Sequence, residues 1–226
     1  MRKVKFINEG YYHIYNRGVD KRTIFQNIDD LMRFYQSIQE FNVIEPIGSI
    51  YENFLFKARI EKEKKFGHSV SKLFSEKEKL VDFICYNLLP NHYHFILKQV
   101  VDKGIEKFMH KVGMGYAKYF NTKNKRSGSL FQGKFKAIHI DSNEYLLHLS
   151  AYINLNHRVH NLEKFGHRVS KLLKSSWEEY INNGKGICDK KIILDQFESI
   201  LDYKKFAEES LNGIKERKEI EKFILE

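Results

Sequence analysis

The stretch LPNHYHFIL, residues 89–97, decides how this chain folds. Successive side chains of a β-strand point to opposite faces. Tyr93, Phe95 and Leu97 therefore share one face, and His92, His94 and Ile96 share the other. The first face suits a core, while the second carries two imidazoles able to converge on one ion. The pair alone decides little. With ten histidines in the chain, chance supplies about 0.4 His-x-His pairs. The plainer alternative is a strand with two polar outward positions.

Working outward, residues 81–89 (VDFICYNLL) form a second apolar run, and Pro90-Asn91 is a turn signal between the two. A hairpin of 81–89 with 91–98 is predicted. Upstream, YYHIYN at 11–16 reads as a strand from its aromatic and β-branched content. A basic turn, Arg17 to Arg22, follows it. Asn27 or Asp29 can cap a helix whose Leu31, Phe34, Tyr35, Ile38 and Phe41 share an apolar face. Residues 50–58 read as a further strand, and the Lys-, Glu- and Ser-rich 59–80 as an insertion.

Downstream, a helix is expected from about Ile105 to Asn121, then a glycine-bearing loop over 124–133 and a strand over 134–140. Asp141 and Glu144 are spaced as a reciprocal cap opening a third helix, which runs through about Asn156. This order predicts an α+β sandwich with an antiparallel sheet, close to the ferredoxin-like split βαβ plan. The principal domain is expected over 1–175. Residues 176–226 read as a helical C-terminal appendage, with Ile192, Ile193, Phe197, Ile200, Leu201 and Phe206 as its apolar face. The copies KFGHSVSKL at 65–73 and KFGHRVSKL at 164–172 are too few for a solenoid.

Charge narrows the partners. The chain carries a formal net charge of +10, which points to an anionic partner, nucleic acid being the commonest. From Lys107 to Lys136 there are eight Lys or Arg residues and no Asp or Glu. Tyr116, Tyr119, Phe120, Phe131 and Phe135 are interleaved with them. Cations for phosphates and rings for unpaired bases suit a single-stranded nucleic acid site. The alternative is a basic amphipathic helix whose rings face the core. No apolar stretch approaches the length of a membrane span. Two distant cysteines, Cys85 and Cys188, fit a reducing compartment, so a cytoplasmic protein is expected. Cys85 reads as a small core residue.

On the third helix, His148, Tyr152 and Asn156 recur every four residues and line one face. That is either a polar outer face or a tyrosine and a carboxamide aimed together at the histidine strand. A phenol with its ordinary pKa of about 10 is a poor nucleophile. It becomes a useful one where a metal polarises the electrophile or favours the phenolate.

Several blocks, in order, resemble the single-tyrosine HUH transposases, and above all their REP-associated branch. They are YYHIYNRG at 11–18 with RTIF at 22–25, LPNHYHFIL, YAKYFN at 116–121, RSGSLFQGKFKA at 126–137, EYLLHLSAYINLN at 144–156 and SSWEEY at 175–180. The resemblance spans roughly residues 10–180. It implies metal-dependent cleavage and rejoining of single-stranded DNA at hairpins or REP-like repeats, with Tyr152 as nucleophile. His92 and His94 would be metal ligands, with Asn156 a third, for Mg²⁺ or Mn²⁺. Arg17, Lys21, Arg22, Lys118, Lys125, Arg126 and Lys134 are the candidate DNA contacts, and the protein would act as a monomer or homodimer.

There are departures from the family pattern. A proline often follows the asparagine of the tyrosine helix, and His157 stands there instead, leaving open a part for His157 or His160. Three rival readings stand beside the transposase. They are another HUH nuclease such as a replication initiator, a non-cutting hairpin-binding protein, and a basic domain with a structural zinc. The last lacks nearby ligands to close a tetrahedral site. His13, His68, His110, His139 and His167 read as surface or satisfied core residues.

Overall fold

A computed structural model describes residues 4–65, 78–159, 172–182 and 184–225. The central sheet is built from β1 (Tyr11–Arg17), β2 (Val81–Leu89), β3 (His92–Gln99), β4 (Lys136–Ile140) and β5 (Lys174–Ser175). Its strand order is β4-β1-β3-β2-β5, and every pairing is antiparallel. The first four strands, with helices α1 (Ile28–Glu40) and α3 (Gly104–Lys123), follow the split βαβ plan expected of the sequence.

The hairpin forms as its turn signal requires. Leu89 pairs with His92 across Pro90-Asn91. Tyr93, Phe95 and Leu97 enter a first core with Tyr12, Ile14, Phe34, Phe108 and Tyr116, contributed by β1, α1 and α3. Ile96 enters a second core on the opposite face with Ile84, Cys85, Leu149, Ile153 and Trp177. That second core is closed by α4 (Asn143–Val159), α5 (Trp177–Ile181), α6 (Lys191–Leu194) and α7 (Ile200–Leu225).

The C-terminal segment is therefore packed into the second core. Tyr203, Ala207 and Leu211 of α7 are buried against α4. Of the residues expected to form its apolar face, Ile193 is buried, but Ile192 is exposed and Leu201 is 73% exposed. The phase of α7 turns Tyr203 inward instead. The Tyr203 hydroxyl accepts from Asn154 Nδ2 at 2.8 Å, and Asn154 Oδ1 accepts from Ser176 Oγ at 2.5 Å. All three residues are fully buried, so this network fixes α4 between the sheet and α7.

Two expectations fail locally. Residues 50–58 are not a strand but the first half of α2 (Ile50–Lys65). Ser49 Oγ accepts from Glu52 N at 3.1 Å, and Glu52 Oε2 accepts from Ser49 N at 2.7 Å. This reciprocal cap, with Ile50, Asn53 and Ile60 buried on one helical stripe, outweighs the aromatic content that favoured a strand. The third helix is capped by Ser142, whose Oγ accepts from Tyr145 N at 3.2 Å, rather than by Asp141. Elsewhere Asn27 caps α1, accepting from Asp30 N at 3.0 Å. The KFGHxVSKL copies lie almost wholly outside the described residues. Among the described residues, no helix is long and apolar enough to cross a membrane.

The α4–α7 contact yields a prediction. Tyr203→Ala removes a buried ring and leaves Asn154 Nδ2 only its long 3.9 Å bond to Cys85 Sγ, so unfolding free energy in denaturant should drop by about 3–5 kcal/mol. A change below about 1 kcal/mol would mean that α7 does not hold α4.

Candidate active site

The antiparallel register assembles the site in rows across the sheet. Lys136 of β4, Tyr15 of β1, His94 of β3, Asn87 of β2 and Ser175 of β5 lie directly opposite one another in turn. The next row pairs Arg17 with His92. Residues paired in this way share a face, so both histidines stand on the α4 side of the sheet.

The Nδ1 atom of each histidine is engaged by a neighbour. His92 Nδ1 lies 2.6 Å from Asn91 Oδ1. The Asn91 amide is oriented by its other end, where Nδ2 donates to the Lys21 carbonyl at 3.2 Å. A carboxamide oxygen only accepts, so His92 carries its proton on Nδ1 and keeps a lone pair on Nε2. His94 Nδ1 lies 2.9 Å from His13 Nε2. Burial pushes the His13 pKa down to about 4, which keeps that ring neutral. Tyr15 stacks on His94 with ring centroids 5.6 Å apart.

Helix α4 carries Tyr152 to this row, its ring centroid 6.1 Å from that of His94. The helix is anchored beside the tyrosine: Asn87 Nδ2 donates to the Ile153 carbonyl at 2.7 Å. Burial raises the Tyr152 pKa, opposed by the Asn156 carboxamide, which approaches the phenol without reaching hydrogen-bonding geometry. The phenol is thus neutral near pH 7 and needs activation to attack. Asn156, one turn further on, is fully buried. Neither its Oδ1 nor its Nδ2 has a partner in hydrogen-bonding geometry. An orphaned carboxamide costs about 1–3 kcal/mol, and a carboxamide oxygen one helical turn from the tyrosine is a donor type that a divalent cation accepts.

Two imidazoles and one carboxamide oxygen thus fit a metal and leave coordination positions for substrate oxygens. Among the described residues no group of three His, Cys, Asp or Glu could hold an ion. His148 turns toward α7, where its Nδ1 meets Ser210 Oγ at 3.0 Å. His157 is half-buried and lines a groove with Lys174 and Trp177. His160 lies outside the described residues.

The basic loops gather at the His92 end of the sheet. Gly18 N donates to the Asn91 carbonyl at 2.8 Å, Val19 N to Leu130 O at 3.0 Å and Gln132 N to Arg17 O at 2.8 Å. A Cβ on Gly18 would meet the Arg22 carbonyl at 2.2 Å, so only glycine permits this tight turn. Arg17, Lys21, Arg22, Lys125 and Lys134 are all exposed around it. Lys21 and Lys125 hold left-handed backbone, φ 57° and 48°, a strained conformation for lysine that clusters at functional sites.

Three details differ from the sequence reading. Arg126 is engaged within its own loop, donating to Asn121 Oδ1 at 2.5 Å and Ser129 O at 3.0 Å. Lys118 is exposed on α3, which covers the face opposite the histidines. The rings of the basic run are core: Tyr116, Phe120 and Phe131 are buried, with Tyr119 and Phe135 packed against them. They are not a stacking platform for bases. Lys136, in turn, was not among the candidate contacts. It stands beside the histidine row with its Nζ 5.9 Å from the Tyr15 ring centroid.

Replacing Asn156 by the near-isosteric leucine removes two buried unsatisfied atoms. Asn156→Leu should stabilise the metal-free protein by about 1–3 kcal/mol in chemical denaturation. Destabilisation would mean that the carboxamide is satisfied in solution.

The family described as "Transposase IS200 like" matches residues 49–156, just under half of the chain. No curated protein matches the sequence. Among solved structures, one described as the REP-associated tyrosine transposase bound to a REP hairpin is similar, with 13% identity and a TM-score of 0.47. That similarity covers 84% of this chain and 93% of the other. Residues 49–156, which hold both histidines, Tyr152 and Asn156, are thus similar to the IS200-like transposases.

Proposed function

We propose that this protein is a metal-dependent transposase that cleaves and rejoins single-stranded DNA through Tyr152. The observation that carries the reading is that one chain brings Tyr152 beside His94 and places the orphaned Asn156 carboxamide one turn away. His92 and His94, through Nε2, and Asn156, through Oδ1, would hold Mg²⁺ or Mn²⁺. The ion would neutralise and orient the scissile phosphate.

The remaining work belongs to the chain itself. Tyr152 Oη attacks phosphorus, forming a 5′-phosphotyrosyl bond as the bond from phosphorus to the 3′ oxygen breaks. The proton lost by the phenol ends on the released 3′ hydroxyl. One phosphodiester replaces another, so an incoming 3′ hydroxyl can reverse the step without an external energy source. Asn87 holds α4 so that the phenol stays over the histidine row, and positioning of this kind dominates such transfers. Arg17, Lys21, Arg22, Lys125, Lys134 and Lys136 would take the phosphates flanking the cut. The sequence blocks shared with the REP-associated branch support hairpin-forming repeats as the substrate. Such a substrate places the protein in the cytoplasm.

The test is incubation with labelled hairpin-bearing single-stranded DNA from the gene's flanks and Mg²⁺ or Mn²⁺. A denaturation-resistant protein–DNA adduct is expected, absent in Tyr152→Phe and in His92→Ala. Tight binding without cleavage, indifferent to metal and to both substitutions, would make this a hairpin-binding protein instead. The loops give a second prediction. Alanine at Arg17, Lys21 or Lys125 should each lower the slope of log affinity against log salt by about 0.7 on single strands. An unchanged slope would remove that residue from the interface.

A further inference from the structure

We infer that His13 is a positioning residue for His94, holding its imidazole in the tautomer that presents Nε2 to the ion. The inference rests on the metal reading above and extends it to a residue outside the ligand set. His13 sits on β1 opposite Ile96, diagonal to His94. Its ring is only 7% exposed. It stacks on the His94 ring with centroids 5.2 Å apart and planes inclined by 25°.

The 2.9 Å separation of His13 Nε2 and His94 Nδ1 is that of a hydrogen bond between two imidazoles. One nitrogen donates and the other accepts. If His94 Nδ1 accepted, its proton would lie on Nε2, and His94 could not ligate through that atom. If His94 Nδ1 donates to His13, the Nε2 lone pair is fixed for the metal. His92 already has this arrangement, because Asn91 Oδ1 admits only a donor at His92 Nδ1. Matching tautomers make the two rings a pair of Nε2 ligands. Ligating histidines are commonly fixed through the second nitrogen in this way. His13 Nε2 is committed to His94, which separates its part from that of a ligand.

Tautomers of the metal-free, full-length chain labelled with ¹⁵N-histidine can be read from two-bond ¹H–¹⁵N correlations. Both His92 and His94 should be protonated on Nδ1. His13→Phe keeps a ring but removes the acceptor, so His94 should move to the Nε2–H form while His92 is unchanged. Mn²⁺ affinity should then fall by about 10–100-fold. His13→Gln, whose Oε1 can accept in place of Nε2, should restore both readouts to within a few-fold. An Nε2–H His94 in the unsubstituted chain overturns the proposal without any variant. So does Mn²⁺ affinity left intact in His13→Phe but lost in His94→Ala. Mn²⁺ affinity indifferent to both His92→Ala and His94→Ala instead overturns the metal reading itself.

Discussion

The strict alternation of β3 is the constraint on which the rest of this structure depends. Tyr93, Phe95 and Leu97 fill the core beneath α1 and α3, and this burial fixes the strand's register. A slip of one residue would drive His92 and His94 into that core. With the register fixed, both histidines must rise on the other face, where α4 arrives. Hairpin pairing then sets Asn87 beside His94, and β1 pairing sets Tyr15 and Arg17 beside His94 and His92. One apolar requirement thereby assembles a polar site on the far side of the same sheet.

The second face answers a competing demand. It must bury Ile96, Ile140, Leu149 and Ile153, yet leave polar groups facing one another a few ångströms away. The solution is a helix held by buried hydrogen bonds. Asn87 grips the Ile153 carbonyl, while Ser176 and Tyr203 grip Asn154. These contacts fall on the two residues that follow Tyr152, so the position of its phenol is set by residues outside the proposed chemistry. Asn156 stands out among the described residues because both its polar atoms are orphaned, whereas Asn87 and Arg33 each leave a single buried atom unpartnered. Local conflicts of this kind accumulate where function opposes stability.

Much of this was legible in the sequence because it obeys local periods. The period of two in 92–97 separated the core face from the histidine face. The spacing of four between Tyr152 and Asn156 set them on one side of a helix. Failures arose where local composition and tertiary context disagreed. The aromatic run at 50–58 resembled a strand, although Ser49 and Glu52 already spelled a helix cap. The rings of the basic segment resembled a base-stacking surface, yet Tyr116 and Phe120 answer to the core of α1 and α3. His13 and Asn87 carried no local signal at all. Their importance comes from partners brought near by strand pairing or helix packing, His13 being 81 positions from His94 and Asn87 66 from Ile153.

The central claim is that a single chain supplies its own tyrosine to its own histidines. Mixing two inactive variants, Tyr152→Phe and His94→Ala, and assaying the mixture for cleavage of hairpin-bearing single strands tests it most directly. The mixture is expected to stay as inactive as either variant alone, because no molecule contains an intact site. Cleavage restored on mixing would show the tyrosine working on a partner's histidines and would contradict the arrangement described.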